Sequence, residues 1–133
     1  MKKGFTLIEL LAVIVILAII ATIATPIVLG IINDTKKSAT VQSARFYLDA
    51  AINAIMKENM NANGNLNPEQ CVINSDGSMN CDEYATALEV EVEGQKPTSG
   101  TITLNQGDIV DATLVFDDGT VSMNTDNELV YQD

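Results

Sequence analysis

The chain has 133 residues, two cysteines and no histidine or tryptophan, and its formal charge is −11. This length allows at most one small domain with an appendage, and the missing histidine excludes Ser-His-Asp and Cys-His catalytic arrangements. The sequence also contains no P-loop, glycine-rich dinucleotide loop or zinc-ligand spacing. We therefore expect a protein that is not an enzyme and that requires no cofactor.

The first element is an apolar segment close to the N-terminus. Between residues 10 and 32, only Thr22, Thr25, Pro26 and Gly30 interrupt the apolar run. About 20 apolar residues suffice for a helix to cross a hydrocarbon core of about 30 Å, so a membrane-spanning helix is predicted. Lys2 and Lys3 precede the run, which places the short N-terminal end in the cytoplasm and the rest of the chain outside.

The chain beyond the apolar segment is strongly acidic. Residues 33–133 contain five basic and seventeen acidic residues, a net charge of −12. Such a surface repels phosphate backbones, so direct nucleic-acid binding is not expected.

Two ordinary interpretations of the N-terminal segment compete with each other. A secretory signal peptide has an apolar region of about 7 to 15 residues and a small-x-small cleavage site, and this run is longer. A plain signal anchor fits the length but gives no reason for the carboxylate of Glu9.

The stretch KKGFTLIEL, residues 2–10, resembles the processing site of type IV prepilins and pseudopilins. It combines a basic leader, a glycine before a phenylalanine, a glutamate fifth from that phenylalanine and a long apolar helix. The resemblance covers about the first 30 residues. It implies that a membrane-embedded prepilin peptidase removes residues 1–4 by cutting between Gly4 and Phe5, and then N-methylates Phe5.

The resemblance also implies a role for Glu9 in subunit assembly. A carboxylate at the centre of a membrane is unfavourable by roughly 2.5 to 3.5 kcal/mol on insertion scales, and by less near the interface. Cleavage creates a cationic amino group at Phe5. Glu9 of an incoming subunit would pair with Phe5 of a neighbour already in the fibre. The alternative is a glutamate that extends to the lipid headgroups.

Pro26 and Gly30 are expected to weaken the helix. Proline removes one backbone donor and opposes the carbonyl of Thr22, so a kink is predicted at this point. By resemblance, the region melts when subunits pack into a fibre; a simple bend is the alternative.

Helical periodicity continues beyond the apolar run with an amphipathic pattern. The apolar positions recur at steps of three and four: Val41, Ala44, Leu48, Ala51, Ile52 and Ile55. The family pattern implies one helix from about Phe5 to Glu58, which the polar segment 59–65 then ends.

The remaining residues read as β structure. Residues 88–93 alternate strictly between apolar residues and glutamates, and shorter alternations occur at 101–105, 112–116 and 121–123. Asp117-Asp118-Gly119 predicts a hairpin turn, and residues 129–131 a short last strand. The alternation makes the glutamates a solvated strand face rather than a catalytic cluster.

The predicted fold class is α+β, with about four antiparallel strands packed on the amphipathic half of a long helix. The domain organisation is a leader at 1–4, an apolar membrane and filament-core helix at 5–32, an amphipathic helix at 33–58 and an extracellular β domain at 59–133. So few residues after the helix need its apolar face to complete a core.

Cys71 and Cys81 both lie in the part predicted to be outside the cell, so a disulfide between them is expected. Free thiols are the alternative. A metal site is poorly supported without histidine or a C-x-x-C motif, and the acidic stretch 117–128 lacks the spacing of an EF-hand calcium loop.

Three functions follow as hypotheses. The first is a structural subunit of a type IV pilus, which polymerises into an extracellular fibre for adhesion, twitching motility or biofilm formation. The second is a pseudopilin of a type II secretion or competence DNA-uptake system. The third is a membrane-anchored binding domain that never polymerises. The partners implied by resemblance are further copies of the chain, the peptidase, an assembly ATPase and a platform protein.

Overall fold

The computed structural model describes residues 3–64 and 66–133. In this part of the chain, one helix precedes six strands: α1 (Leu7–Asn61), β1 (Gln70–Ile73), β2 (Met79–Cys81), β3 (Ser99–Asn105), β4 (Asp108–Phe116), β5 (Gly119–Met123) and β6 (Leu129–Gln132). The strands form one antiparallel sheet in the order β2-β1-β3-β4-β5-β6. The predicted α+β fold class is confirmed, and the architecture is pilin-like.

The ends of helix α1 differ slightly from the expected Phe5 and Glu58. The helix begins at Leu7 and ends at Asn61. Asn63 and Gly64 adopt left-handed backbone conformations, with φ of 61° and 74°, and the amide of Gly64 donates to the carbonyl of Asn59 at 2.7 Å. This is the usual way in which a helix closes its last turn. Asn65 of the predicted stop segment, and Met1 and Lys2 of the predicted leader, lie outside the described residues.

The chain divides into two units, one up to Thr35 and the other Lys36–Asp133. In the second unit, the amphipathic part of α1 packs against one face of the sheet. The helix contributes Thr40, Ala44, Tyr47, Leu48, Ala51 and Ile55 to the buried set. The sheet contributes the alternate residues of its strands, among them Ile73, Ile102, Leu104, Leu114, Phe116 and Val121.

The predicted apolar stripe of the helix is largely correct, but it omits Tyr47, the largest buried residue of the helix. Tyr47 is completely buried, whereas Val41 and Ile52, which the periodicity includes, are only partly buried. The sheet therefore contacts a stripe rotated toward Tyr47. A tyrosine fits there because its ring is buried while its hydroxyl group donates a hydrogen bond to a backbone carbonyl, that of Gly77.

Four predicted strands match observed ones, with the hairpin turn at residues 117–119 between β4 and β5. Phe116 pairs with Gly119 across this turn. Strand β4 starts at Asp108, earlier than expected, and a β-bulge lies between Thr103 and Leu104 where its register with β3 shifts. The expected count of about four strands is too low, because β1 and β2 were not predicted.

The predicted strand at residues 88–93 is wrong. The expected faces are present, since Leu88 and Val90 are buried and the glutamates are exposed. However, the backbone makes only one isolated bridge, between Leu88 and Met79, with hydrogen bonds of 2.8 and 3.0 Å. Leu88 faces Met79, the first residue of β2, so the residues that follow Leu88 run antiparallel past the beginning of that strand and find no further strand to pair with. This extended segment is therefore held mainly by its buried side chains.

Candidate functional site

The predicted cleavage bond lies in exposed backbone that precedes the helix. Residues 3–6 have no regular secondary structure, and the Phe5 side chain is 95% exposed. A Cβ atom added at Gly4 would meet nothing within 4 Å. Exposed, non-helical segments with small residues are the preferred substrates of proteolysis. The Gly4–Phe5 bond is therefore accessible in the folded chain.

Thr6 and Glu9 form a capping box that sets the start of helix α1. The Glu9 carboxylate accepts from the Thr6 amide at 2.9 Å and from its hydroxyl group at 3.0 Å, while the Glu9 amide donates to the Thr6 hydroxyl oxygen at 3.3 Å. This reciprocal pattern satisfies backbone donors that the first helical turn leaves unpaired. The helix therefore begins at Leu7, two residues after Phe5, which keeps the predicted cleavage bond outside it.

The role of Thr6 was missing from the sequence predictions, although its signal was present. A threonine three residues before a glutamate, ahead of an apolar run, is the sequence pattern of a capping box. Among the described residues 3–64 and 66–133, the carboxylate of Glu9 thus has hydrogen-bond donors but no cationic partner. The pairing of Glu9 with Phe5 of a neighbouring subunit stays a prediction.

The helix after Glu9 is long and apolar enough to cross a membrane, judged by length and composition. Its apolar side chains are exposed: between Leu10 and Ile32, leucine, isoleucine and valine residues are about half accessible each. An exposed apolar surface of this extent needs a lipid or protein environment.

Helix α1 continues without interruption through Pro26. The hydroxyl group of Thr25 donates to the carbonyl of Ala21 at 2.7 Å, and that of Thr22 to the carbonyl of Ile19 at 2.7 Å. Threonine side chains near a proline supply donors to backbone carbonyls in apolar surroundings. The kink at Pro26 and Gly30 stays a prediction.

A disulfide-closed hairpin forms one edge of the sheet. Cys71 and Cys81 face each other across β1 and β2 and are joined by the expected disulfide. Between the strands, the carboxylate of Asp76 accepts from the amide and hydroxyl groups of Ser78 at 2.9 and 2.6 Å. These hydrogen bonds hold the pKa of Asp76 below its ordinary value.

Tyr47 fastens this hairpin to the helix. Its buried hydroxyl group donates to the carbonyl of Gly77 at 2.9 Å. Burial, with a smaller contribution from the negative charge of Asp76, raises the pKa of Tyr47. Gly77 has a φ of 81°, and a Cβ atom there would lie 2.8 Å from the Cβ of Lys96. Glycine is therefore required at this turn for both conformation and space.

The acidic stretch 117–128 supplies turn residues. Asp118 accepts from the amide group of Gln95 at 3.0 Å, and the side-chain oxygen of Asn124 accepts from the amides of Asp126 and Glu128. Within residues 3–64 and 66–133, the structure contains no group of three or more His, Cys, Asp or Glu side chains arranged to hold a metal ion.

Comparison with known proteins identifies the N-terminal site. Residues 1–25 match the family model described as the prokaryotic N-terminal methylation motif, which is the signature of type IV pilins and pseudopilins. This motif marks a structural class of proteins rather than an enzyme family. No curated protein and no solved structure matches the chain. The motif and the apolar helix together fit a membrane-anchored prepilin.

Proposed function

We propose that the chain is the structural subunit of a type IV pilus, made as a membrane prepilin and polymerised into a surface fibre after processing. The observation that carries this proposal is the methylation motif at residues 1–25, which includes the predicted cleavage bond and the first part of the exposed apolar helix. Cleavage between Gly4 and Phe5 leaves an amino group at the end of that helix. N-methylation of Phe5 follows, and the helices then leave the lipid by packing against each other.

The chemistry of assembly centres on Glu9. Before assembly, Thr6 donates hydrogen bonds to its carboxylate, which lowers the cost of holding a charge in an apolar phase. In the fibre, the new amino group of a neighbour's Phe5 supplies the missing positive charge. The pair also fixes the axial register, because two helices that slide past one another lose it.

The partners follow from this sequence of events. A prepilin peptidase acts on the leader, and an assembly ATPase with a platform protein moves subunits out of the membrane. The acidic second unit lies outside the cell throughout. Processing removes the leader at 1–4. In the finished fibre, residues 5–32 form the core helix, residues 33–58 the amphipathic helix and residues 59–133 the outer β domain.

The experiment compares the amount of fibre sheared from cells that make the wild type, Glu9→Val or Glu9→Gln. Glutamine keeps the hydrogen-bonding pattern of a capping box but has no charge, so it separates the two roles of Glu9. We expect both variants to be inserted and cleaved, and neither to enter fibres efficiently. Normal fibre yield from Glu9→Gln would show that the cap, rather than the charge pair, is what assembly requires.

A pseudopilin is the second candidate, because the same motif serves both classes. It predicts a short fibre confined to the cell envelope, so electron microscopy of sheared material separates the two. An anchored binding domain that never polymerises predicts a chain that retains its leader in every cell fraction.

A further inference from the structure

Residues 89–93 form an extended segment that makes no backbone–backbone hydrogen bond within residues 3–64 and 66–133. The preceding residue, Leu88, exchanges both of its backbone hydrogen bonds with Met79 of β2. In an antiparallel pair, the backbone groups of successive residues point to opposite sides of the strand. The N–H and C=O groups of Glu89 and Glu91 therefore point away from β2. They form a free strand edge, which can pair with another extended chain.

A groove lies between this segment and helix α1. It consists of two adjoining cavities of about 300 and 290 Å³, which share Ala50, Asn53 and Glu91 among their lining residues. Helix residues 46–57 form one wall and span about 16 Å, which is the length of about five extended residues. The side chain of Phe46, which is 49% exposed, makes part of this wall apolar. The groove can therefore hold a short extended peptide beside the free strand edge.

The side chains of the segment determine which peptide fits. Glu89, Glu91 and Glu93 are exposed, and they alternate with Val90 and Val92, which are buried and partly buried. Cross-strand neighbours lie on the same face of a sheet, so a paired strand places alternate side chains beside the glutamates and the others beside the valines. Cations suit the first positions and apolar groups the second. We infer that the groove binds an extended segment of another protein in which lysine or arginine alternates with apolar residues.

A second copy of this chain does not have the required pattern. If segments 88–93 of two copies paired with their valines on the same face, their glutamates would lie opposite each other and repel. No two of the seven basic residues in the sequence are separated by a single residue, so no part of the chain alternates them with apolar residues. Among the described residues that line the groove, Asp49 adds a carboxylate and Lys57 is the one cation. The inference concerns the second unit alone and does not depend on polymerisation.

The test uses the full chain in an uncharged detergent and a fluorescent heptapeptide of sequence TKVKVKT with blocked termini. Fluorescence anisotropy gives the Kd, and hydrogen exchange followed by NMR reports on individual amides. Two further peptides carry N-methyl groups on the amides of either the lysines or the valines, which removes one set of backbone donors at a time. Glu89→Gln/Glu91→Gln removes two charges from the groove, whereas Asp108→Asn/Asp111→Asn removes two from exposed positions outside it. Phe46→Ser removes the apolar part of the helix wall, and near-UV circular dichroism checks that each variant is folded.

We expect the peptide to bind the wild type and Asp108→Asn/Asp111→Asn with similar Kd, and to slow the exchange of the Glu89 and Glu91 amides. For Glu89→Gln/Glu91→Gln, the Kd should rise on the order of tenfold at low salt, and the difference should shrink in about 1 M salt, where charges are screened within about 3 Å. Phe46→Ser should also raise the Kd, because the apolar side chains of the peptide lose their contact. One of the two N-methylated peptides should bind weakly, since its blocked donors face the segment.

Binding that leaves the exchange of the Glu89 and Glu91 amides unchanged would overturn the inference, because attraction between opposite charges would then suffice without strand pairing. Unaltered binding of both N-methylated peptides, or equal losses of affinity in the two charge variants, would overturn it in the same way. A peptide that does not bind the wild type at all would also contradict it. None of these results bears on the proposed function, which the fibre yield of the Glu9 variants tests separately.

Discussion

Removal of the disulfide provides a quantitative test of the second unit. In the double variant Cys71→Ala/Cys81→Ala, the unfolded chain regains the entropy that the cross-link removes. For a sequence separation of 10 residues, the chain-entropy relation gives a loss of about 2.7 kcal/mol in the free energy of unfolding. The hairpin of β1 and β2 lies at an edge of the sheet, where β2 pairs along its length with β1 and on its other side only through the bridge to Leu88.

The assay is urea unfolding of the full chain in detergent, followed by tyrosine near-UV circular dichroism. All three tyrosines lie in the second unit, so the signal reports on that unit alone. With a urea dependence of about 1 to 1.5 kcal/mol per molar, the midpoint should fall by roughly 2 M. Reduction of the wild type should have the same effect and should leave the variant unchanged. A fall of less than about 0.5 M would refute the view that the cross-link stabilises this hairpin.

Three further predictions concern the same contacts. Tyr47→Phe leaves the Gly77 carbonyl unpaired and should cost about 1 to 3 kcal/mol at neutral pH. Because the folded pKa of Tyr47 is raised, its contribution to wild-type stability should be complete below the ordinary value of about 10 and decline above it. The advantage of the wild type over Tyr47→Phe should therefore shrink as the pH rises above about 10; a constant difference would contradict this. In the same urea assay, Gly77→Ala should lower the free energy of unfolding more than Gly94→Ala. Both glycines have a positive φ, but only Gly77 lies against another side chain, that of Lys96. Equal losses would contradict the steric argument. Thr6→Val should lower the protection of the amides of the first helical turn against hydrogen exchange, whereas Thr6→Ser should preserve it. Equal protection in the two variants would mean that the capping box does not hold the start of the helix.

The sequence predicted the elements that have strong local signals. The apolar run and the amphipathic period predicted two helical segments, and the family resemblance implied that they form one helix, as they do in α1. The turn Asp117-Asp118-Gly119 predicted the β4–β5 hairpin. The methylation motif lies at the N-terminus and consists of side-chain identities at fixed spacings. No tertiary structure was needed to find it.

The errors occurred where tertiary contacts decide the outcome. Residues 88–93 alternate as a strand does, but their neighbour β2 has only three residues and offers little backbone to pair with. Conversely, β1 and β2 are too short to show a period, although the Asp76-Gly77 turn between the cysteines was a usable hairpin signal. Tyr47 was missed because its burial depends on the acceptor that Gly77 supplies from a distant turn.

The measurement that tests the central claim most directly is the intact mass and N-terminal fragmentation of protein sheared from the cell surface, without reduction. We predict a chain that begins at Phe5, carries one methyl group on its amino terminus and lacks the two hydrogens lost in the Cys71–Cys81 disulfide. A chain that begins at Met1, both in the sheared material and in the membrane fraction, would contradict prepilin processing and favour the anchored binding domain.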